Sequence, residues 1–393
     1  MKKIISLLLI LAIVSASLIT SFASDMTDVD SDASDYLTSS FDADSISAKS
    51  AVLIEANTGE ILFEKNSEEA LPPASVTKVM TLLLVCEALE NGQYKLTDKV
   101  SVSSNAASMG GSQVFLEEGE EFTVEELLKC TVIASANDAA VALAEFTCGS
   151  ESAFVDRMNK RASELGLKNT HFKNTTGLDD DVSGHLTCAY DIAIMSKELL
   201  EHDVILKYSG IWQDTIRDGE FTLTNTNRLV RFYQGCTGLK TGYTDKAGYC
   251  ISATAERNGM HLIAVIMGSE SRDERNNAAR MLFDFGFASY ALYLDDESFL
   301  EDINVLRSDI TTAQLYSRKF IFLCDKQLQG KIEKRYIIPD NLVAPISEGQ
   351  VIGKVKYYIN DSEIGESDIY VKDSVKSIGA FRLFWKILIK PFT

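Results

Sequence analysis

Ser75 and Lys78 stand three residues apart, just behind a Pro72-Pro73 break and at the start of an apolar run over 76–89 that is predicted to be a helix. Positions i and i+3 of a helix share a face, which brings the lysine side chain over the serine. A serine hydroxyl is a weak nucleophile until an adjacent base takes its proton. A lysine can be that base when burial or a second cation lowers its pKa from about 10.4. A helix N-terminus also leaves the backbone N–H of Ser75 well placed to stabilise an oxyanion. The plainer alternative is an N-cap serine beside a solvated lysine. Two more short motifs follow. Ser135-Ala136-Asn137 comes after the apolar stretch 127–134, where a serine and an asparagine are costly to bury without hydrogen bonds. A turn between helices is the competing reading. Lys240-Thr241-Gly242 falls in a predicted strand, and its glycine points to close approach of a ligand to the backbone. The competing reading there is an edge-strand lysine that blocks aggregation.

The elements that must position these residues are readable along the chain. Segments 51–54 and 61–63 flank Asn57-Thr58-Gly59 and are predicted to form a β-hairpin. Helices are predicted over 122–146, with Thr123 as the start signal, and over 153–165 and 189–200. Three strands follow at 238–244, 249–256 and 261–267, with a hairpin turn at Arg257-Asn258-Gly259. A helix over 275–285 closes the unit. Strands at both ends with helices between them predict one α/β (α+β) domain over 46–293, whose sheet draws on both ends of the domain. Residues 297–372 are strand-rich and predicted to be a small all-β domain.

The two ends of the chain read differently. Lys2 and Lys3, the apolar run 4–14 and Ser21-Phe22-Ala23 have the layout of a cleavable secretory signal over 1–23. Residues 24–45 are rich in Asp and Ser and predicted to be a flexible leader. The tail 374–393 has no acidic residue. Phe381, Phe384, Trp385 and Leu388 share one helical face, while Arg382, Lys386 and Lys390 repeat every four residues. Charges at its middle exclude a spanning helix, so it is expected to be an amphipathic helix lying on a membrane surface. Its alternative is a helix packed on its own domain.

The net charge of −19 argues against nucleic acid as a partner, since phosphate binding needs clustered Lys and Arg. Losing Lys2 and Lys3 with the signal takes the chain to −21. The seven cysteines are scattered, with no CxxC pair and no histidine at ligand spacing. No metal and no cofactor is therefore expected, and the thiols are expected to be reduced.

Taken together and in this order, the three motifs are the signature of penicillin-binding proteins and class A β-lactamases. The second motif carries Ala136 in place of its usual Asp, a variation common among low-molecular-mass penicillin-binding proteins. Further segments resemble the D-alanyl-D-alanine carboxypeptidases in particular. These are Pro73-Ala74-Ser75, the stretches 171–178 and 185–191, Thr224-Asn225-Thr226-Asn227-Arg228-Leu229, and 238–244. The likeness spans about 46–393. It implies that Ser75 attacks the penultimate D-alanine carbonyl, that Lys78 is the base, and that Ser135 relays a proton. It further implies that Asn137 orients the network, that Lys240 and Thr241, in the strand with Gly242, bind the terminal carboxylate, and that the N–H groups of Ser75 and Tyr243 form the oxyanion hole. Arg275 loosely matches a carboxylate-assisting arginine, and His171 and His185 are read as structural. The implied substrate is the peptidoglycan stem peptide ending in D-Ala-D-Ala, with β-lactams as covalent inhibitors and an extracytoplasmic, membrane-attached location. A β-lactamase or a D-alanyl endopeptidase would use the same machinery. The Glu-x-x-Leu-Asn loop of the former is not found.

Overall fold

The computed structural model describes Leu37, residues 39–178, 183–379 and Arg382. The predicted signal over 1–23 and nearly all of the predicted tail helix lie outside the described residues. Two compact units emerge: Leu37–Tyr293 together with Ile321–Gln329, and Leu294–Phe320 together with the described residues from Gly330 on.

The first unit is built on a five-stranded antiparallel sheet. Its strands are β1 (Ser50–Glu55), β2 (Ile61–Lys65), β3 (Cys236–Thr244), β4 (Gly248–Arg257) and β5 (Met260–Ser269). Their order is β2-β1-β5-β4-β3, so the first hairpin joins the last three strands through β1 and β5. Every residue of β1 is buried. Side chains alternate between the faces of a strand, and here both faces are covered. Val52 and Ile54 enter one apolar cluster with the helices α1 (Lys78–Glu90), α2 (Val124–Ile133), α3 (Asn137–Cys148), α4 (Glu151–Glu164) and α5 (Ala189–Leu200). Ala51 and Leu53 enter a second cluster with α6 (Arg272–Ser289). Helix α1 is apolar nearly all round and buried from Lys78 to Cys86, as a central helix must be.

Three expectations are corrected here. The helix predicted over 122–146 is two helices, α2 and α3, separated at Ala134-Ser135-Ala136, with Thr123 and Glu126 forming a capping box ahead of α2. The helix behind Pro72-Pro73 begins as a 3-10 turn, Ala74–Thr77, and becomes α-helical only at Lys78. Part of the predicted flexible leader is packed: Phe41 lies against Phe63 and Phe285, and the Tyr290 hydroxyl donates to the Ser39 carbonyl. Two aromatic contacts offset the low apolar content that suggested a solvated segment.

The second unit holds a six-stranded sheet made of β7 (Ser298–Leu306), β8 (Thr312–Ser317), β10 (Ile332–Ile337), β11 (Leu342–Val343), β12 (Val351–Ile359) and β13 (Ser362–Val371), in the order β10-β12-β13-β8-β7-β11. The small two-stranded sheet of β6 (Tyr290–Asp295) and β9 (Phe320–Asp325) explains why 321–329 belongs with the first unit rather than with the β-rich domain predicted over 297–372. Val375 and Ser377 make β-bridges to Ile346 and Ser308. The start of the predicted tail helix is therefore extended chain within this unit. All seven cysteines are free thiols. In the β3–β4 ladder Cys236 faces Ala255 and Cys250 faces Gly242, well apart along the strands.

Candidate active site

The site is assembled where the 3-10 turn, the α2–α3 break and strand β3 converge. Ala74, just before Ser75, has φ +48°, and Ser135 has φ +61°. Left-handed backbone at a residue bearing a Cβ costs on the order of 1 kcal/mol or more, so the surrounding fold holds Ala74 and Ser135 against a local preference. Closeness on the strand side requires glycine. A Cβ on Gly242 would lie 2.8 Å from the Ser75 nitrogen and 3.0 Å from the Pro73 oxygen. The group approaching Gly242 is thus the backbone of the nucleophile turn, where a ligand had been expected. A Cβ on Gly177 would lie 1.8 Å from the Ala74 oxygen, so the 171–178 segment also presses on that turn.

Lys78 is fully buried and makes three contacts: Ser75 Oγ at 3.1 Å, Asn137 Oδ1 at 2.6 Å and the Thr176 carbonyl at 3.0 Å. The Asn137 amide is oriented by its Nδ2, which donates to the Gly110 carbonyl at 2.7 Å. Two of the three partners can only accept, and the third is a hydroxyl. A neutral amine has two N–H donors and one lone pair. Nζ donates to all three as an ammonium, and a neutral amine keeps the Asn137 and Thr176 bonds while its lone pair faces the Ser75 hydroxyl. Burial pulls the Lys78 pKa down to about 7, against the opposing pull of Asp138.

Lys240 is also fully buried, and its Nζ donates to Ser135 Oγ at 2.7 Å and to the Thr241 carbonyl at 2.8 Å. Burial, then the positive charges of Lys78 and Arg275, hold its pKa well below the usual lysine range. Thr241 donates to the Thr226 hydroxyl at 2.7 Å, and Asn227 Nδ2 donates to the Gly238 carbonyl at 2.7 Å. The 224–229 segment is in this way tied to β3. Ser75, Ser135, Thr241, Gly242 and Tyr243 all line one cavity of about 560 Å3. All eight residues singled out from the sequence thus come together, with Lys78, Asn137 and Lys240 buried beside a half-buried Ser75 and a buried Ser135.

The family model describing D-alanyl-D-alanine carboxypeptidases matches residues 37–271, and that of the penicillin-binding protein 5 C-terminal domain matches 287–377. The chain is 46% identical over 340 residues to the D-alanyl-D-alanine carboxypeptidase DacF of Bacillus subtilis, covering 84% of this chain and 87% of that one. It belongs to the D-alanyl-D-alanine carboxypeptidase family. To DacC of Escherichia coli it is 31% identical, covering 89% of this chain and 90% of that protein. Penicillin-binding protein 5 from Haemophilus influenzae superposes with a TM-score of 0.69 at 32% identity, over 84% of this chain and 98% of that one. Penicillin-binding protein D2 from Listeria monocytogenes, solved in its ampicillin-bound form, has a TM-score of 0.57 at 31% identity, over 62% of this chain and 98% of that one. The protein is a serine-type D-Ala-D-Ala carboxypeptidase with an α/β catalytic domain and an all-β C-terminal domain.

Several contributors to the site had no role in the sequence reading. The Thr176 carbonyl is a main-chain group and carries no residue-type signal. Asp138, directly after the second motif, is buried and accepts from the Val114 and Leu116 amides at 3.1 Å each. That interaction ties the loop beside Asn137 to α3. His185 was expected to be structural. Its Nδ1 accepts the Lys173 amide at 3.1 Å, which leaves Nε2 to donate to Thr77 Oγ1 at 2.8 Å. Among the described residues no group of three or more His, Cys, Asp and Glu side chains could hold a metal ion. No described helix is long and apolar enough to cross a membrane.

Proposed function

We propose that Ser75 is the nucleophile and Lys78 its base in the removal of the terminal D-alanine from peptidoglycan stem pentapeptides. The observation that carries this is Lys78 itself, buried 3.1 Å from Ser75 Oγ with its pKa drawn down by burial to about 7, so that a neutral amine is available to take the proton. Ser75 Oγ attacks the carbonyl of the penultimate D-alanine, and its proton passes to Lys78 Nζ. The tetrahedral oxyanion lies against the N–H groups of Ser75 and Tyr243. The C–N bond then breaks, and the leaving amine takes its proton through Ser135, which Lys240 contacts from below. Lys240 and Thr241 hold the terminal carboxylate, with Arg275 behind them. Water hydrolyses the Ser75 ester and frees the shortened peptide.

The same route accounts for β-lactams as inhibitors, because opening the lactam leaves an acyl group on Ser75. The ampicillin-bound Listeria relative supports that reading. The proposal extends to the ends of the chain: a secretory signal over 1–23, a leader up to about residue 45, and an amphipathic tail that attaches the enzyme to the outer face of the cytoplasmic membrane. Extracytoplasmic action is supported by the family of the relatives and by the Lys2–Lys3 and apolar pattern of the N-terminus.

The test is a pair of measurements on wild type and Ser75→Ala. Wild type is expected to form a covalent adduct with a fluorescent penicillin and to release one D-alanine from a pentapeptide. A folded Ser75→Ala protein that still labels would overturn the assignment.

A further inference from the structure

The residues lining the Ser75 cavity include no carboxylate and three arginines: Arg228, Arg272 and Arg275. This is unexpected in a chain with 57 acidic and 38 basic residues. Arg275 is buried, and its guanidinium is engaged by Asn276 Oδ1 and the Cys250 carbonyl. Arg228 and Arg272 differ from it. Both are exposed, and among the described residues neither side chain makes an ion pair or a hydrogen bond. They come from distant points in the chain. Arg228 precedes the short helix Leu229–Phe232, and Arg272 is the first residue of α6. The two charges are close enough that both act to lower the Arg275 pKa, in addition to the larger effect of burial. Arg228 also lines a neighbouring cleft together with Arg280 and one carboxylate, Asp273.

The substrate of this reaction carries a negative terminal carboxylate. A body of net charge −19 repels such a molecule, while a mouth lined by one sign of charge focuses the field and raises the rate of encounter. We propose that Arg228 and Arg272 form an outer carboxylate site that captures the substrate's free C-terminal carboxylate and delivers it to Lys240 and Thr241. This rests on the active-site reading above. It deepens that reading by assigning the approach of an anionic substrate to two residues outside the three motifs. Both are positioning residues, since they act on capture rather than on the reacting bond. Peptides whose C-terminus is amidated lose this assistance.

The experiment measures the second-order rate of acylation by benzylpenicillin, a monoanion, at ionic strengths from 10 mM to 500 mM. The Debye length falls from about 30 Å at 10 mM to about 10 Å at 0.1 M. The wild-type rate is expected to fall with salt. Arg228→Gln/Arg272→Gln should lower the rate about tenfold at 10 mM, with the gap narrowing as salt rises. Arg228→Lys/Arg272→Lys should recover most of the rate and the salt dependence, because steering needs charge rather than guanidinium geometry. A Gln pair with the wild-type salt slope, or a Lys pair no better than the Gln pair, overturns the outer site while leaving Ser75 in place. Wild type that is not acylated at any salt overturns the active-site reading itself.

Discussion

Replacing Asn137 by Asp changes one atom's chemistry at the place where Lys78 is most sensitive. Asn137 Oδ1 lies 2.6 Å from Lys78 Nζ. A carboxylate there would favour the ammonium form. Two unit charges about 4 Å apart at an effective dielectric of 20 attract by about 4 kcal/mol, or about three pH units of pKa. Lys78 would move from about 7 toward about 10. At pH 7 the neutral, proton-accepting fraction would fall from about one half to about one in a thousand, a loss of about 500-fold in acylation rate. The sign is fixed by the mechanism: the neutral amine is the active form, so the rate rises with pH up to the pKa. Wild type should level off above about pH 7–8, whereas Asn137→Asp should keep rising about tenfold per pH unit from 6 to 9. The assay is stopped-flow acylation by a chromogenic cephalosporin across that range. The variant also sets a carboxylate against the Gly110 carbonyl, which could lower stability, but misfolding would reduce the rate at every pH. Asn137→Ala removes the acceptor without adding charge and should not displace the profile upward. A profile for Asn137→Asp parallel to wild type, however low, would refute Lys78 as the titrating base.

Three further outcomes follow from the same structure. Gly177→Ala should destabilise the protein by about 3 kcal/mol, because the new Cβ meets the Ala74 carbonyl and φ is +81°; chemical denaturation measures the loss. Between pH 7 and 8 stability should increase by roughly 1 kcal/mol, since the lowered Lys78 value leaves the unfolded chain binding more protons; a flat urea midpoint over that range would contradict it. Truncation at residue 380 spares the Val375 and Ser377 bridges and should release the enzyme from anionic vesicles, read by co-sedimentation, with peptide turnover retained.

What the sequence disclosed was whatever depends on short-range spacing. Ser75 and Lys78 were legible as a pair because one helical turn relates them, and that remained true although the turn at Ser75 is 3-10. The junction of β1 with the last three strands was legible because apolar strands lie at both ends of the domain. Long-range chemistry was not. The third ligand of Lys78 is a peptide oxygen 98 residues away, which no side-chain type marks. Arg228 and Arg272 gain their meaning only when a helix start and a loop meet at one cavity. The return of 321–329 to the first unit was hidden because its apolar strand, Phe320–Asp325, looks like those of the β domain. Phe41 was overlooked because one aromatic in an Asp- and Ser-rich stretch weighs little in composition and much in contact.

The pairing of β1 with β5 sets Ser50 opposite Met267. A polypeptide emerging N-terminus first therefore presents its opening hairpin long before that hairpin's partner exists. The turn and helix carrying Ser75 and Lys78 are made early, but Lys240 and Gly242 come from β3, the edge strand, which joins the rest of the sheet only through β4 and β5, the last two strands to be made. Closing so wide a loop has to precede the contacts that reward it. Susceptibility to penicillin should consequently switch on in a single step during synthesis, once the chain has cleared α6, at about residue 289. An antibiotic adduct on a nascent chain would then be a timestamp of completed folding.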